Sequence, residues 1–263
     1  MNFFDNTLVS FYNLMENIVA AIEKAIGVEF ITSFSRLLEQ AHSTAVLIAS
    51  VVVLITGLSA YAQFKDLYPW IIYVALFAPV GLLFLSFFAE SFHDACDDLI
   101  KSNETTLSNG AYLRFAAVIS FILSVVYFII GIVFLIKGTL GASMAVGIIG
   151  ISFFFLLSTA PLFNPSLMNV VVTPKSSSGE DFIALLSLNL KAMVFFEKII
   201  SRLLIIGGGI CLVVSLFETM PYIYIGLGML TLGIAFPILV YLVFIFLYFW
   251  FSLLSSILSM GRK

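Results

Sequence analysis

The sequence predicts an all-α, polytopic membrane protein, and its composition and the length of its apolar runs both point to that class. Of its 263 residues, 62% are hydrophobic and only 10% are charged, whereas a soluble globular domain carries about 25% charged residues. Several apolar runs reach roughly 20 residues, the length that crosses the hydrocarbon core of a bilayer as a helix. We therefore expect a bundle of helices in lipid.

The apolar runs predict six transmembrane helices arranged as three hairpins. The closing run, 221–260, carries no charge over its whole length. It could form two spans, or one span that continues past the membrane, and we favour the single span. The predicted spans are about 43–64, 69–90, 112–136, 139–160, 200–217 and 221–250.

The placement of basic residues favours this count of spans. With six spans, ten of the twelve Lys and Arg residues lie on one side of the membrane, and only Lys65 and Lys137 lie on the other. Basic residues accumulate on the cytoplasmic side of membrane proteins. The sequence therefore predicts that both termini are cytoplasmic, and we expect a bacterial inner membrane as the location.

Amphipathic helices are predicted outside the spans. Residues 1–42 form the predicted N-terminal domain, ahead of a membrane domain at 43–263, and apolar residues recur there every three or four positions. Its polar face is mainly acidic, which favours packing on the protein's own spans or on a partner over binding to anionic lipid. A second amphipathic helix is predicted at 180–199, opened by a capping box at Ser177-x-x-Glu180.

The hairpins recur at a fairly even interval along the chain, and the first and third resemble each other most. In each, the joint between the two spans ends in a proline, and the second span contains another. Repeated spans occur in transporters, so the pattern keeps that class open. The four prolines are Pro69, Pro79, Pro221 and Pro237.

Two Glu-x-x-His pairs are the most specific chemical feature. Glu39 and His42 precede the first span, and Glu90 and His93 end the second, at similar distances from the joint between them. Residues three apart share a helix face, and two such pairs with further carboxylates hold di-metal centres in helical bundles.

A third carboxylate, Glu197, precedes the fifth span, with Asp94 and Asp97 as further oxygen donors. The predicted metal site is therefore Glu39, His42, Glu90, His93 and Glu197, with no cofactor identified. Two readings compete with it: haem held between His42 and His93, and polar groups that only mark helix ends. We favour the last.

The remaining features favour a non-enzymatic role without excluding an enzyme. No ionisable residue lies in the middle of a predicted span, which argues against ion-coupled transport. No catalytic or nucleotide-binding motif is present, and a net charge of −3 gives no reason to expect a nucleic-acid partner. We expect a scaffold or translocation-path subunit of a larger membrane assembly, surrounded by lipid and bound to other membrane subunits or a second copy. The alternatives are a transporter or channel for a lipid or apolar solute, and a membrane metalloprotein.

Overall fold

The computed structural model describes residues 13, 16–138, 142–173, 178–217 and 221–260. This part of the chain is all-α, as the composition predicted, with one small parallel pair of strands. The helices are α1 (16–25), α2 (Val28–Phe64), α3 (Ile71–Ser102), α4 (Ala111–Lys137), α5 (Ala142–Phe163), α6 (Ser178–Val214) and α7 (Pro221–Met260). The strands are β1 (Thr105–Leu107) and β2 (Val170–Val172), and a short 3-10 helix covers Pro165–Met168.

Helices long and apolar enough to cross a membrane confirm the predicted class. Among the described residues there are four such stretches, while the apolar part of α5, Gly147–Phe163, is shorter. The count of six spans remains a prediction. The four stretches are Glu16–Phe64, Ile71–Ser102, Ala111–Lys137 and Tyr222–Leu254.

Four helices run further than the predicted spans. Helix α2 continues through the predicted domain boundary at residue 42, and α6 joins the amphipathic segment 180–199 to the following span. Helix α7 is one continuous helix of 40 residues, which agrees with a single closing segment. Helix α3 begins at Ile71, so Pro69 lies just before the helix, and α3 continues past the predicted span to Ser102. The predicted capping residue Ser177 lies outside the described residues.

The chain divides into two compact units. One contains Met1–Phe34 and Thr105–Asp181, and the other contains Ser35–Glu104 and Phe182–Lys263. The predicted boundary at residue 42 falls within α2, and this division does not use it.

The first unit is built on the close approach of α4 and α5. A Cβ on Gly131 would lie 2.6 Å from Cγ1 of Ile149, so only glycine permits the observed distance between the helices. Nearby, the Ser152 hydroxyl donates to the carbonyl of Ser124 at 2.8 Å. Gly138 ends α4 with φ 63°, a left-handed conformation that glycine adopts without steric cost.

The second unit contains two similar hairpins, here called the first hairpin (α2 and α3) and the second hairpin (α6 and α7). Helices α2 and α6 each have 37 residues, and they begin at Val28 and Ser178. Helices α3 and α7 begin at Ile71 and Pro221, so the offset in sequence from α3 to α7 equals the offset from α2 to α6. The correspondence agrees with the likeness seen between the first and third predicted hairpins.

The closest contacts within the two hairpins also correspond. In the first hairpin a Cβ on Gly57 would lie 2.7 Å from Cβ of Ala75, and in the second a Cβ on Gly208 would lie 2.8 Å from the carbonyl oxygen of Gly226. The offset from Gly57 to Gly208 equals that from Ala75 to Gly226, and it nearly equals the offset between the helix starts. The two hairpins therefore share helix lengths, joint position and point of closest approach.

Candidate functional site: a buried ionisable network

Polar side chains from α2, α3 and α6 form a network inside the second unit. Most of these side chains are almost completely buried, although the surrounding helices are strongly apolar. We call this set the ionisable network, and its members are His42, Ser86, Glu90, His93, Glu197, Ser201 and Arg202.

The sequence places the two histidines at similar distances from the joint between α2 and α3, and the structure agrees. His42 lies as far in sequence before Phe64, the end of α2, as His93 lies after Ile71, the start of α3. At about 1.5 Å per residue, both lie about 33 Å along their helices from the joint. This is the far end of a span that crosses a hydrocarbon core of roughly 30 Å.

The first part of the network joins α2 and α3 to α6 through Glu90. His42 Nε2 lies 3.5 Å from Glu90 Oε1 and 3.2 Å from Ser86 Oγ. Glu90 Oε2 accepts a hydrogen bond of 3.2 Å from Arg202. Glu90 therefore contacts a histidine of the neighbouring helix and an arginine of the second hairpin.

The second part of the network joins α3 to α6 and α7 through His93. His93 Nδ1 lies 3.0 Å from Glu197 Oε2, and His93 Nε2 lies 3.5 Å from Ser201 Oγ. The Ser201 hydroxyl donates to the carbonyl of Gly233 at 2.7 Å. Because that hydroxyl hydrogen is already used, the Ser201 oxygen faces His93 as an acceptor.

Each buried carboxylate of the network has a basic partner. Glu90 pairs with Arg202, and Glu197 contacts His93. Such pairing reduces the large cost of burying a charge.

Four polar atoms of the network have no hydrogen bond although they are buried. They are His42 Nδ1, Glu90 Oε1, Glu197 Oε1 and Arg202 Nε. Each unsatisfied buried group costs about 1–3 kcal/mol. Replacing a buried ion pair by apolar side chains is often neutral or stabilising, so this network is a poor device for stability alone.

The structure brings four of the five predicted metal ligands into the network, as two separate pairs. His42 contacts Glu90, and His93 contacts Glu197, whereas Glu39 is exposed on α2. Among the described residues, no group of three or more His, Cys, Asp or Glu side chains is arranged to hold a metal ion. Of the two fallback ligands, Asp94 is exposed and Asp97 pairs with Lys198.

Sequence reasoning missed Arg202, Ser86 and Ser201, and it placed Glu197 on an amphipathic helix outside the spans. In the structure Glu197 and Ser201 are 0% exposed, and most of the described residues of 182–199 are covered. One signal was available: Glu197 and Ser201 are four residues apart and share a helix face. The helix that this face meets could not be read from the sequence.

An apolar groove lies beside the network, between α2 and α6. Its volume is about 530 Å³, and Ala41, Ala45 and Gly209 form part of its lining, with Gln40 and Thr44 as its polar members. A Cβ on Gly209 would lie 3.2 Å from Cβ of Ala45, so small residues hold the two helices close at this point. The groove therefore lies where the two hairpins meet.

Fold and site together define a class: an all-α protein with helices able to span a membrane and a buried network of paired ionisable side chains. No protein-family profile, no curated protein and no solved structure matches the chain.

Proposed function

We propose that the chain is a translocation-path component of a membrane assembly, which moves a lipid or apolar solute and performs no chemistry of its own. The observation that carries the proposal is the ionisable network between the two hairpins. Buried ionisable side chains are expensive to desolvate, so a set of them held between two hairpins at one end of the spans indicates a role beyond packing. No ionisable residue occupies the middle of a predicted span, so the network would close the end of a path and would not line its centre.

Two further features support this function. The second unit consists of two corresponding hairpins, and transporters commonly place their pathway at the interface of such repeats. The groove between α2 and α6 follows the same interface and is lined mainly by apolar side chains. An apolar lining favours an acyl chain or another apolar solute over an ion.

A scaffold subunit is the second candidate, and the same groove is the observation that favours it. Small residues on helix faces permit close approach of another membrane helix, and Ala41, Ala45 and Gly209 offer such a face. Other membrane subunits, or a second copy of the chain, are the partners expected for this role.

Reconstitution separates the two candidates. The protein is expressed at its native level and purified in a mild detergent together with any chains that copurify. The purified material is reconstituted into phosphatidylcholine vesicles. Loss of fluorescence from a head-group-labelled lipid, after addition of an impermeant reductant, measures movement between leaflets. Transport predicts faster loss than in protein-free vesicles. A rate equal to that of protein-free vesicles, with copurifying subunits present, rejects transport of lipid and leaves the scaffold.

Metal binding by Glu39, His42, Glu90, His93 and Glu197 remains a prediction of the sequence. Imidazole and carboxylate ligands together favour iron, manganese or zinc. Elemental analysis after growth in metal-replete medium tests it: near-stoichiometric metal that is lost in His42→Ala and in His93→Ala would support a metalloprotein, and metal-free protein would reject it.

A further inference from the structure

We propose that the ionisable network is a releasable clamp between the two hairpins, and that α3 and α6 separate at its level when the clamp opens. The inference deepens the proposed transport function, because it describes how the path between the hairpins would be closed. It rests on three observations: which helices the contacts join, which atoms lack partners, and what space lies beside them.

The contacts of the ionisable network fall into two groups. Those that cross between the hairpins join α3 to α6: Glu90 with Arg202, His93 with Glu197, and His93 with Ser201. The others lie within one hairpin. His42 contacts Ser86 and Glu90 in the first, and Ser201 donates to Gly233 in the second. Glu90 and Ser201 are therefore each held by a contact within their own hairpin as well as by one across the clamp.

The clamp is incompletely satisfied when closed. Four buried polar atoms have no hydrogen bond, and two of them, Glu90 Oε1 and Arg202 Nε, belong to the pair that joins the hairpins. Water can supply partners for such atoms once helices separate. Opening the clamp therefore recovers part of the hydrogen-bonding free energy that it loses, whereas separating an apolar contact recovers none.

Space for movement lies directly beside the clamp. The groove between α2 and α6 is lined by Gln40 and Ala41, the two residues that precede His42, and extends along both helices. At the other side of the network, Cys96 is completely buried among Leu190, Val194 and Val240. Separation of α3 from α6 would expose this thiol, so the reactivity of Cys96 measures opening of the clamp.

Labelling of Cys96 by N-ethylmaleimide in vesicles tests the clamp. Cys211 is the other cysteine of the chain, and a Cys211→Ala background leaves Cys96 as the single target. The clamp predicts slow labelling in this background. In Arg202→Gln the rate should rise by about tenfold or more, because a hydrogen bond to a charged group contributes at least that factor. Arg202→Lys keeps the charge and should give an intermediate rate.

Lys198→Gln is the matched control. Lys198 also lies on α6 and pairs with a carboxylate of α3, but its partner Asp97 is 38% exposed. Exposed pairs contribute little, so the labelling rate of Cys96 should stay within about twofold of the unmodified background.

A second cysteine separates opening from general loosening. In a Cys96→Ala background, labelling of Cys211 should be unchanged by Arg202→Gln if the protein opens only at the clamp. An unchanged Cys96 rate in folded Arg202→Gln would overturn the inference, and so would equal acceleration at both cysteines. Because labelling needs no transported solute, this result is independent of whether the vesicles show transport.

Discussion

Lys191 shows at the scale of a single residue that a charge ahead of a predicted span need not be exposed. The residue precedes the predicted span at 200–217, yet it is 0% exposed. Its Nζ donates to the carbonyl of Asn103, the C-terminal cap of α3. A cation at this position also interacts favourably with the helix dipole. Lys191 therefore holds the end of α3 and does not face water.

Burial of Lys191 makes the stability of the protein depend on pH. Burial lowers the pKa of Lys191 to about 8 from the ordinary 10.5, against the opposing effect of Glu104. Between these values the unfolded chain binds more protons than the folded one, so stability rises with pH. The cost of burying the charge is fully present below pH about 8 and is gone above the ordinary lysine pKa.

Lys191→Met should remove this part of the pH dependence. Thermal unfolding in detergent between pH 7 and pH 10.5 measures it, as the difference in slope between the two proteins. We expect the native protein to gain stability relative to Lys191→Met as the pH rises. Parallel curves would contradict the lowered pKa.

At the same scale, the residues of the candidate site were partly predictable. The spacing of Glu39-x-x-His42 and Glu90-x-x-His93 located the correct level in the first hairpin, because position along an antiparallel pair follows from counting. The spacing did not predict which residues pair. Glu90 contacts His42 of the other helix, and His93 contacts Glu197 at a sequence separation of 104 residues. Contacts at such separations depend on helix packing, which residue spacing does not specify.

At the scale of the elements, the packing of each hairpin depends on backbone contact at a small residue. Gly208 and Gly226 lie where α6 and α7 touch, and a Cβ on either would lie within 3 Å of the other's carbonyl oxygen. The obstructing atom is backbone, so it cannot rotate away. The two helices must separate to accept any side chain.

Gly208→Ala should therefore destabilise the second hairpin by about 1–3 kcal/mol, the usual cost of overpacking. Gly228→Ala, also on α7, is the matched control because a Cβ there meets no atom within 4 Å. Alanine favours helix over glycine, so this variant should be neutral or stabilising by up to about 1 kcal/mol. Unfolding in detergent compares them, and equal stability of the two variants would show that the close contact is absent.

The sequence predicted the helices themselves well and the positions of their ends less accurately. Apolar runs and Gly138 predicted α4 within one or two residues, since composition and a left-handed turn are local properties. Helix α6 was predicted as two segments, because the charges at Lys191, Glu197 and Lys198 indicated a surface helix. These residues instead pair with α3 and Asn103, so tertiary contacts allow one helix to continue into the bundle.

At the scale of the whole molecule, the orientation in the membrane remains a prediction. Reporter fusions after Asn103, Ser177 and Lys263 should report the cytoplasm, and insertions at Asp66 and Glu218 the opposite side. The physical reason is the excess of Lys and Arg on one side of a six-span topology. Because α7 is one helix, a C-terminus on the opposite side would reject three hairpins and require an odd number of spans.

Lipid movement in vesicles, measured for Glu197→Gln beside Asp97→Asn, tests most directly whether the ionisable network serves transport. Both changes remove one carboxylate charge that faces the boundary of α3 and α6, but Glu197 is fully buried against His93, whereas Asp97 is partly exposed. We expect Glu197→Gln to change the rate by about tenfold, as loss of a charged hydrogen bond implies, and Asp97→Asn to leave it unchanged. Equal rates in both folded variants and the native protein would contradict a functional network and leave these residues as structural groups.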